Sequence, residues 1–223
     1  MKRTGCTRIE LMKSYGQYCS VAKALDVVGD RWTLLIVREL LTQGPCRYTD
    51  LRAGLPGIAS NLLATRLREL EAAGLITRTA APPPIATTLF ELTERGEQLK
   101  EVLYALGRWG VDFMARPDGS EAFRSNWFTF ATENFLSDTD PAAPGVTIAL
   151  DAGDAPAHIA VGGGQVELRR GAAPAPDLTL TGKPVLIMGV LAGKLTLEGA
   201  RSAGLSVTGD PATLTRAGRP QPS

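Results

Sequence analysis

The chain has 223 residues, which exceeds the usual size of one domain, about 100–150 residues, and predicts two domains. Its composition, with 44% hydrophobic and 21% charged residues, is typical of a globular protein and excludes an intrinsically disordered chain. Three cysteines are too few for a disulfide framework, and a single histidine excludes most zinc sites and nearly all histidine-based catalytic triads. No segment of the sequence predicts a membrane span or a secretory signal. We therefore expect a cytoplasmic protein that is not an enzyme.

Charge and proline content change near the middle of the chain. Residues 1–116 carry a net charge of +4 and residues 117–223 a net charge of −3, and ten of the 15 prolines lie beyond position 116. The polar, turn-rich segment 116–120 separates the two halves. We predict a first domain at 1–116 and a second at 118–216, with different partners.

Hydrophobic periodicity predicts that the first domain is mostly helical. Leu63, Leu67 and Leu70 fall on one side of a helix, and glycine-containing turns separate successive segments. Two helices joined by a tight turn of this kind predict a helix-turn-helix. The predicted helices are 21–28, capped by Ser20, then 31–41, capped by Asp30 and with Trp32, Leu35, Ile36 and Leu40 facing the core, then a short helix from Tyr48 or Thr49, and finally 60–73.

A β-hairpin and a further helix are predicted next. Segments 75–79 and 87–92 read as strands, and the proline loop at 82–84 cannot pair in a sheet, so it forms the hairpin tip. A β-hairpin that follows the second helix of a helix-turn-helix is called a wing. From Gly96 to Met114 apolar residues recur every three or four positions and predict one continuous helix.

Several motifs of this half resemble those of HxlR-type winged-helix transcription regulators, a MarR-like group. They occur in the expected order and spacing over residues 15–114. The resemblance implies a dimeric regulator of the bacterial cytoplasm. The motifs are CSVAKALDVVGDRWTLLI at 19–36, RYTDLR at 47–52, LPGI at 55–58, RLRELE at 66–71, GLI at 74–76 and LTERG at 92–96.

The outward face of helix 60–73 is the candidate surface for reading DNA. A recognition helix presents polar side chains to base edges in the major groove, and arginines neutralise phosphates. Asn61 can bond to adenine, and Arg68 to guanine or a phosphate. The alternative is a solvated face whose arginines pair with Glu69 or Glu71. The candidate DNA-binding residues are Arg47, Thr49, Ser60, Asn61, Thr65, Arg66, Arg68 and Arg78.

Two features depart from the family pattern. Asn61 and Ala64 stand where the family commonly has Lys and Thr, and residues 80–88 of the wing carry no charge. Each lost phosphate contact weakens DNA affinity and flattens its salt dependence. The alternative function is therefore a winged-helix protein that has ceased to bind DNA and works as a small-molecule binding or carrier protein.

The helix predicted from Gly96 to Met114 is the candidate dimer contact. Its apolar stripe packs either within the chain or against a second copy, and the resemblance implies the second copy, with Trp109 as an interface anchor. Dimerisation would set two recognition helices about one DNA turn apart and imply a palindromic operator. The predicted stripe is Leu99, Leu103, Leu106, Trp109 and Phe113.

Cys19 is the candidate redox residue. A helix N-terminus lowers the pKa of a thiol and increases its reactivity, and some members of the resembled family sense oxidants with a cysteine in this place. The alternative is a small buried apolar side chain. Cys6, Cys46 and His158 match no metal-ligand pattern, so we expect no metal and no other cofactor.

The second domain is predicted to be α+β with an antiparallel sheet. Segment 121–136 is an aromatic-rich helix, and period-two segments predict strands. PDLTLTG at 176–182 and LSVTGDP at 205–211 resemble sterol-carrier-protein domains, in which helices over a sheet enclose an apolar tunnel. The predicted strands are 146–150, 158–161, 165–169, 178–181 and 205–208, with helices at 185–191 and after Asp210.

The resemblance implies that this domain binds a small hydrophobic ligand. The alternative is that the same side chains form a closed core, because a tunnel needs space that close packing leaves unfilled. The candidate lining residues are Trp127, Phe128, Phe135, Leu180, Leu186, Met188 and Leu195.

The sequence thus predicts a homodimeric bacterial transcription regulator. A winged helix-turn-helix binds palindromic double-stranded DNA, and a small hydrophobic ligand in the sterol-carrier-like domain modulates that binding. We expect the protein at the nucleoid in the cytoplasm, with no membrane partner. Salt-dependent DNA binding separates this prediction from the carrier alternative.

Overall fold

The computed structural model describes residues 14–81, 87–115 and 121–218. It divides into two compact units, Met1–Lys100 and Glu101–Ser223. The division falls earlier in the chain than the predicted boundary at 116–120, inside the helix Leu99–Gly110, whose residues from Glu101 onward are assigned to the second unit. That boundary segment, Cys6 and the proline loop at 82–84 lie outside the described residues.

The described part of the first unit is a helix-turn-helix followed by a β-hairpin, as the periodicity predicts. A short strand that sequence reasoning missed lies directly before the helix-turn-helix. The elements are α1 (Ser20–Val28), α2 (Thr33–Gln43), β1 (Cys46–Arg47), α3 (Tyr48–Gly54), α4 (Ser60–Ala72), β2 (Ile76–Ala80), β3 (Thr88–Leu92) and α5 (Glu94–Glu97).

The first two helices begin differently from the prediction. The residue that precedes α1 in extended conformation is Cys19, so Ser20 is the first helical residue rather than the cap. The second helix starts at Thr33 because Trp32 adopts a left-handed backbone conformation, with φ of 79°. Asp30 therefore cannot cap it with its side chain.

The late start of α2 also decides which of its faces is buried. Ile36, Val37 and Leu40 are buried, whereas Leu35, which the predicted stripe placed in the core, is 38% exposed. Trp32 lies before the helix and is half-buried. The buried stripe is thus centred one position later than the spacing indicated.

The helix-turn-helix consists of α3, a turn and α4. The predicted side of α4 is buried, with Leu63, Leu67 and Leu70 almost inaccessible to solvent. Leu51 of α3 and Leu55 of the turn are equally inaccessible to solvent. At about 25 cal/mol per Å² of apolar surface removed from water, the burial of these side chains stabilises the fold of this unit.

The hairpin forms a small antiparallel sheet in the order β1-β3-β2. Phe90 lies opposite both Cys46 and Arg78, so the central strand joins the hairpin to the start of α3. The wing therefore shares its sheet with the segment that leads into the helix-turn-helix.

The helix predicted from Gly96 to Met114 is divided into three pieces. After α5, Gln98 separates it from α6 (Leu99–Gly110), and a 3₁₀-helix (Val111–Ala115) follows. Thr93 caps α5 by accepting a hydrogen bond of 3.1 Å from the backbone N–H of Gly96. Glycine is a poor helix former, and Gly110 is the residue at which the α-helical turn tightens.

The described part of the second unit is a helical layer on a five-stranded sheet. Five strands and two helices match their predicted positions within one or two residues. After α6 and its 3₁₀-helix, the elements are a 3₁₀-helix (Ser125–Trp127), α7 (Phe128–Phe135), β4 (Ser137–Asp138), β5 (Val146–Asp151), β6 (Ala157–Gly162), β7 (Gln165–Arg170), β8 (Leu178–Thr181), α8 (Pro184–Leu191), α9 (Leu197–Ser202), β9 (Ser206–Gly209), α10 (Thr213–Arg216) and β10 (Ala217–Gly218).

The aromatic-rich helix is shorter than the predicted 121–136. It begins at Ser125, whose backbone N–H donates to a carboxylate oxygen of Asp154 at 2.8 Å and whose hydroxyl donates to the other oxygen. Arg124, just before it, is extended. A contact to a residue far along the chain thus sets the helix start.

The sheet is mixed rather than antiparallel, which corrects the prediction. Its strand order is β7-β6-β5-β8-β9, and β5 pairs with β8 in parallel, while the other neighbours are antiparallel. Strand β7 lies at one edge of the sheet. After β7 the chain therefore crosses back over the sheet to the far side of β5. It then enters β8 in the direction of β5.

The core of this unit lies between the sheet and its helices. Ile148, Ile159 and Leu178 point from three neighbouring strands into it, and α7 packs on β7 and α8. Among residues 14–81, 87–115 and 121–218, no helix combines the length and apolar content that crossing a bilayer requires.

Candidate functional site

The start of α4 is tied to the start of α3. The hydroxyl of Tyr48 donates to the backbone carbonyl of Ser60 at 2.7 Å. The carboxylate of Asp50 accepts from the backbone N–H of Arg47 at 3.1 Å and so satisfies one free donor at the start of α3. These two bonds position the N-terminus of α4 in space.

One face of α4 carries exposed polar side chains. Ser60, Asn61 and Arg68 are exposed and Thr65 is half-buried, on the side away from its three buried leucines. Arg68 donates from Nη2 to the hydroxyl of Thr65 at 3.2 Å, and no carboxylate of the described residues forms an ion pair with it. These four residues are among the predicted DNA-binding residues, and their role in binding DNA stays a prediction.

Arg66 is in a different environment from Arg68. Its side chain is only 15% exposed, and Nη1 lies 2.7 Å from a carboxylate oxygen of Asp30 and 2.5 Å from one of Glu69. The paired-arginine alternative therefore describes Arg66. Its ion pairs connect α4 to the turn that precedes α2.

The other predicted DNA-binding residues lie on both sides of the turn. Thr49 is exposed and Arg47 is half-buried at the start of α3. Arg78 of the wing forms an ion pair of 2.8 Å with Glu71 and lies over the ring of Phe90, with 5.3 Å from its guanidinium carbon to the ring centroid. Its charge is thus partly compensated.

The charge of this region is modestly positive. Between residues 47 and 78, five arginines stand against three acidic residues, a net charge of +2. Sequence reasoning did not single out the fifth arginine, Arg52, which is exposed on α3. Its position four residues before Pro56, inside the helix-turn-helix, was the available signal.

A buried carboxylate lies beneath α3. Glu39 of α2 is fully buried and accepts hydrogen bonds from Arg38 (2.7 Å to Nη2) and from Gln43 (2.5 Å). Burial lowers the pKa of Arg38, and the charge of Glu39 opposes that shift. Gly54, the last residue of α3, contacts this carboxylate so closely that a Cβ there would lie 2.5 Å from Oε2 of Glu39. The network fixes how α3 lies on α2.

Cys19 is exposed at the N-terminus of α1. The backbone N–H groups of Ala22 and Val21 lower the pKa of its thiol below the usual range. Cys46, by contrast, is buried and donates to the carbonyl of Gly44 at 3.1 Å. Among the described residues, no group of three or more His, Cys, Asp or Glu side chains is arranged to hold a metal ion.

The outer face of α6 is apolar and exposed. We call the row Val102, Leu106, Trp109 and Phe113, spaced four, three and four residues apart, the α6 stripe. Trp109 is 70% exposed and Phe113 is 72% exposed, and their rings make an edge-to-face contact at 5.0 Å. Leu106 and Val102 are each 44% exposed. Sequence reasoning missed Val102.

The inner face of α6 packs on α7, which corrects part of the predicted stripe. Leu103 is buried and Leu99 is half-buried, so neither lies on the exposed row. Tyr104 packs edge-to-face on Phe130 at 5.3 Å and its hydroxyl donates to Glu133. Burial raises the pKa of Tyr104 far above its usual value, and the Glu133 hydrogen bond adds to that shift.

The second unit contains an apolar cavity of about 530 Å³. Three of the predicted ligand-binding residues, Leu186, Met188 and Leu195, line it. Sequence reasoning missed its other walls, which come from the 3₁₀-helix after α6, from α8 and from the segment that follows α8. The remaining lining residues are Val111, Asp112, Met114, Val185, Gly189, Ala192 and Lys194.

Three of the other four predicted ligand-binding residues belong to the core or pack against it. Phe128 and Leu180 are fully buried among the core side chains, and Phe135 packs against that core. Trp127 is half-buried and contacts the ring of Phe123 edge-to-face at 6.0 Å. The closed-core alternative therefore describes Phe128, Leu180 and Phe135, whereas Trp127 lies neither in the core cluster nor on the cavity wall.

Comparison with known proteins identifies the first unit. Residues 27–118 match the family model described as HxlR-like helix-turn-helix. The chain is 33% identical over 92 residues to the HTH-type transcriptional regulator YvaP of Bacillus subtilis, an alignment that covers 41% of this chain and 84% of YvaP. It is 34% identical over 122 residues to the regulator YtcD of the same species, covering 53% of this chain and 89% of YtcD.

A crystal structure of a YtcD regulator is 34% identical to this chain, covers 44% of this chain and 99% of its own, and superposes with a TM-score of 0.40. The relatives carry the names of transcription regulators rather than of enzymes. The helix-turn-helix geometry of α3 and α4 agrees with the matched family. The chain belongs to the HxlR-like helix-turn-helix family and is a transcription regulator, not an enzyme.

Proposed function

We propose that the protein is a homodimer that binds palindromic double-stranded DNA, with α4 of each copy in the major groove of one half-site. The observation that carries this proposal is the exposed polar face of α4. A hydroxyl, a carboxamide and a guanidinium, from Ser60, Asn61 and Arg68, lie opposite the buried leucines. These groups have the donor and acceptor chemistry that distinguishes base pairs in the major groove.

The arginines have different roles in this proposal. Arg68, which has no ion pair with any described carboxylate, contacts a guanine or a phosphate, while Arg47 and Thr49 hold phosphates at the start of α3. Arg78 contributes a weaker phosphate contact because Glu71 shares its charge. For Arg66 we infer a positioning role, since two carboxylates already hold it.

The α6 stripe supports the dimer. Four exposed apolar side chains in a row at helical spacing are costly in water, and aromatic residues such as Trp109 are frequent anchors of interfaces. A second copy that covers the stripe would bury them. A two-fold arrangement then presents two α4 helices to one duplex, which is what a palindromic operator requires.

The second unit would supply the response to a small hydrophobic ligand. Its helix layer over a sheet agrees with the sterol-carrier-like architecture that the sequence resembles, and its apolar cavity is within the size range of small-molecule sites. The exposed thiol of Cys19 would add a redox input. A regulator of this kind acts in the cytoplasm, at the nucleoid, with no membrane partner.

The second candidate function is a carrier protein that has ceased to bind DNA. The ion pairs of Arg66 and Arg78 favour it, because they reduce the positive charge that phosphate binding needs. The wing segment 87–92 carries one acidic residue and no basic one, which points the same way.

Binding to the DNA upstream of its own gene tests the proposal. In fluorescence anisotropy, Arg68→Ala should weaken binding by at least about tenfold and reduce the slope of log affinity against log salt by about 2, because each of the two copies loses one contact. Arg66→Ala should instead lower the free energy of unfolding by about 1–2 kcal/mol, through its lost ion pairs, and change that slope less.

Arg95→Ala is the matched control, because Arg95 is exposed on α5, outside the helix-turn-helix. It should leave affinity and slope unchanged. Negligible, salt-insensitive binding by the unsubstituted protein would contradict the proposal and support the carrier.

A further inference from the structure

The helix α8 is apolar on every side. Its sequence, PVLIMGVL, contains no polar or charged residue. Ile187 and Leu191 point into the core and are buried. A helix that is apolar all round requires cover on its second face as well.

That second face of α8 lines the cavity. Val185, Leu186 and Met188 are half-buried there, and Val111 and Met114 of the 3₁₀-helix form part of the remaining wall. The cavity reaches about 530 Å³, so the cover that the protein itself provides is incomplete. The space fits the apolar body of a small molecule.

The rim of the cavity carries one ion pair. Of the described lining residues, only Asp112 and Lys194 are charged, and Nζ of Lys194 lies 2.7 Å from Oδ1 of Asp112. Their side chains are 72% and 55% exposed, and an ion pair so exposed contributes little stability. Lys194 therefore already holds a carboxylate that another carboxylate can replace at small cost.

We propose that this cavity binds an amphipathic monocarboxylate, which inserts its apolar body between α8 and the 3₁₀-helix. Its carboxylate takes the place of Asp112 on the ammonium group of Lys194. The inference rests on the proposed function and names the ligand class, with Asp112 and Lys194 as its specificity-determining residues.

The same segment links this site to the α6 stripe. Phe113 lies between Asp112 and Met114 in the 3₁₀-helix, and its ring contacts that of Trp109 at 5.0 Å. A ligand that displaces the Asp112 carboxylate from Lys194 would remove one contact that holds the segment containing Phe113. Occupancy of the cavity would therefore change the proposed dimer contact.

Isothermal titration of the full chain with decanoate and with 1-decanol, each below its aggregation concentration, tests the assignment. Decanoate should bind one molecule per chain and more tightly than 1-decanol. Lys194→Ala should weaken decanoate about fivefold to tenfold and leave 1-decanol unchanged. Asp112→Asn should tighten decanoate severalfold, because the competing carboxylate is gone.

Two further variants complete the experiment. Arg201→Ala removes an exposed cation of α9 outside the cavity and should change neither affinity. Met188→Trp fills the cavity and should weaken both ligands, with an unchanged circular dichroism spectrum to show that it folds. Equal loss of decanoate and 1-decanol with Lys194→Ala, or binding of neither ligand, would overturn the inference.

The DNA assay on the same preparations separates the two proposals. Protein that binds its upstream DNA but no decanoate contradicts only the ligand assignment. Protein that binds decanoate as expected but no DNA contradicts the proposed regulator and leaves the cavity assignment intact. Decanoate affinity that falls as protein concentration rises and does not depend on Lys194 would assign the cavity to a second copy, which also overturns the inference.

Discussion

Two arginines of α4, only two positions apart, have opposite surroundings. Arg68 is exposed beside a hydroxyl, whereas Arg66 is held by two carboxylates. The sequence indicated Glu69 as a partner, since residues three apart lie on the same side of a helix. The contact with Asp30 could not be predicted, because it depends on how α2 and α4 pack.

Cys19 is the residue whose chemistry depends most on its local backbone. The N–H groups of Ala22 and Val21 stabilise the thiolate, so the thiol pKa is lowered and the thiolate is present at lower pH than in an ordinary cysteine. We expect its alkylation rate by iodoacetamide to rise with pH through a midpoint below that of free cysteine.

Mass spectrometry of the alkylated peptides provides that measurement site by site. Cys46 serves as the internal control, because it is buried and should react slowly across the same pH range in the folded protein. A midpoint for Cys19 equal to that of free cysteine would contradict the stabilised thiolate.

At the scale of elements, local patterns predicted most of both units. Apolar spacing and glycine or proline breaks located α3, α4, the wing strands and the sheet strands of the second unit. Each of these signals lies within a short stretch of the sequence, so the elements can be predicted without knowledge of the fold. The missed strand β1 has only two residues, and its pairing with Phe90 of β3 leaves no periodic signal.

Features set by distant contacts could not be predicted. The parallel pairing of β5 with β8 depends on the crossover that brings the chain back from the edge strand β7 to β5. The cavity depends on space that the packing leaves open beside α8, and no pattern of residues in the sequence indicates such space. Leu186 and Phe128 are both apolar positions of predicted helices, yet one lines the cavity and the other is core.

The contact of α3 with α2 gives a test at this scale. In Gly54→Ala, the added methyl would lie 2.5 Å from the Glu39 carboxylate, which Arg38 and Gln43 hold in place. We expect the free energy of unfolding to fall by about 1–3 kcal/mol and DNA affinity to fall with it. Chemical denaturation measures the first effect.

Gly110→Ala is the control for glycine replacement in a helix. A Cβ at Gly110 meets no atom within 4 Å, so this substitution should leave stability unchanged or raise it by up to about 1 kcal/mol. Equal destabilisation by both substitutions would show that the close contact at Gly54 carries no energetic cost.

At the scale of the whole molecule, the proposed function depends on pairing two copies. We expect the unsubstituted protein to elute as a dimer in size-exclusion chromatography with light scattering. Trp109→Arg should give a monomer, because it places a charge in the middle of the α6 stripe. Glu101→Arg, at an exposed position of α6 outside the stripe, should remain a dimer. A monomeric unsubstituted protein would contradict the proposed interface.

In the sequence, α6 connects the first unit, which carries the proposed DNA-binding helix, to the 3₁₀-helix at the proposed ligand cavity. It begins at the end of the first unit and leads into the 3₁₀-helix that forms one wall of the cavity. A ligand can shift the quaternary arrangement only if it binds one arrangement more tightly than the other. The contact of Trp109 with Phe113 is the physical connection through which that difference would act.

The most direct test of the central claim is a hydroxyl-radical footprint on the DNA upstream of the gene that encodes this protein. Two α4 helices in a symmetric pair should protect two half-sites on one side of the duplex, with centres about 10 base pairs or a multiple of that apart. Arg68→Ala should need a correspondingly higher protein concentration to protect the DNA, and both half-sites should lose protection together at the lower concentration. Uniform cleavage by the folded, dimeric, unsubstituted protein at low salt would contradict the account.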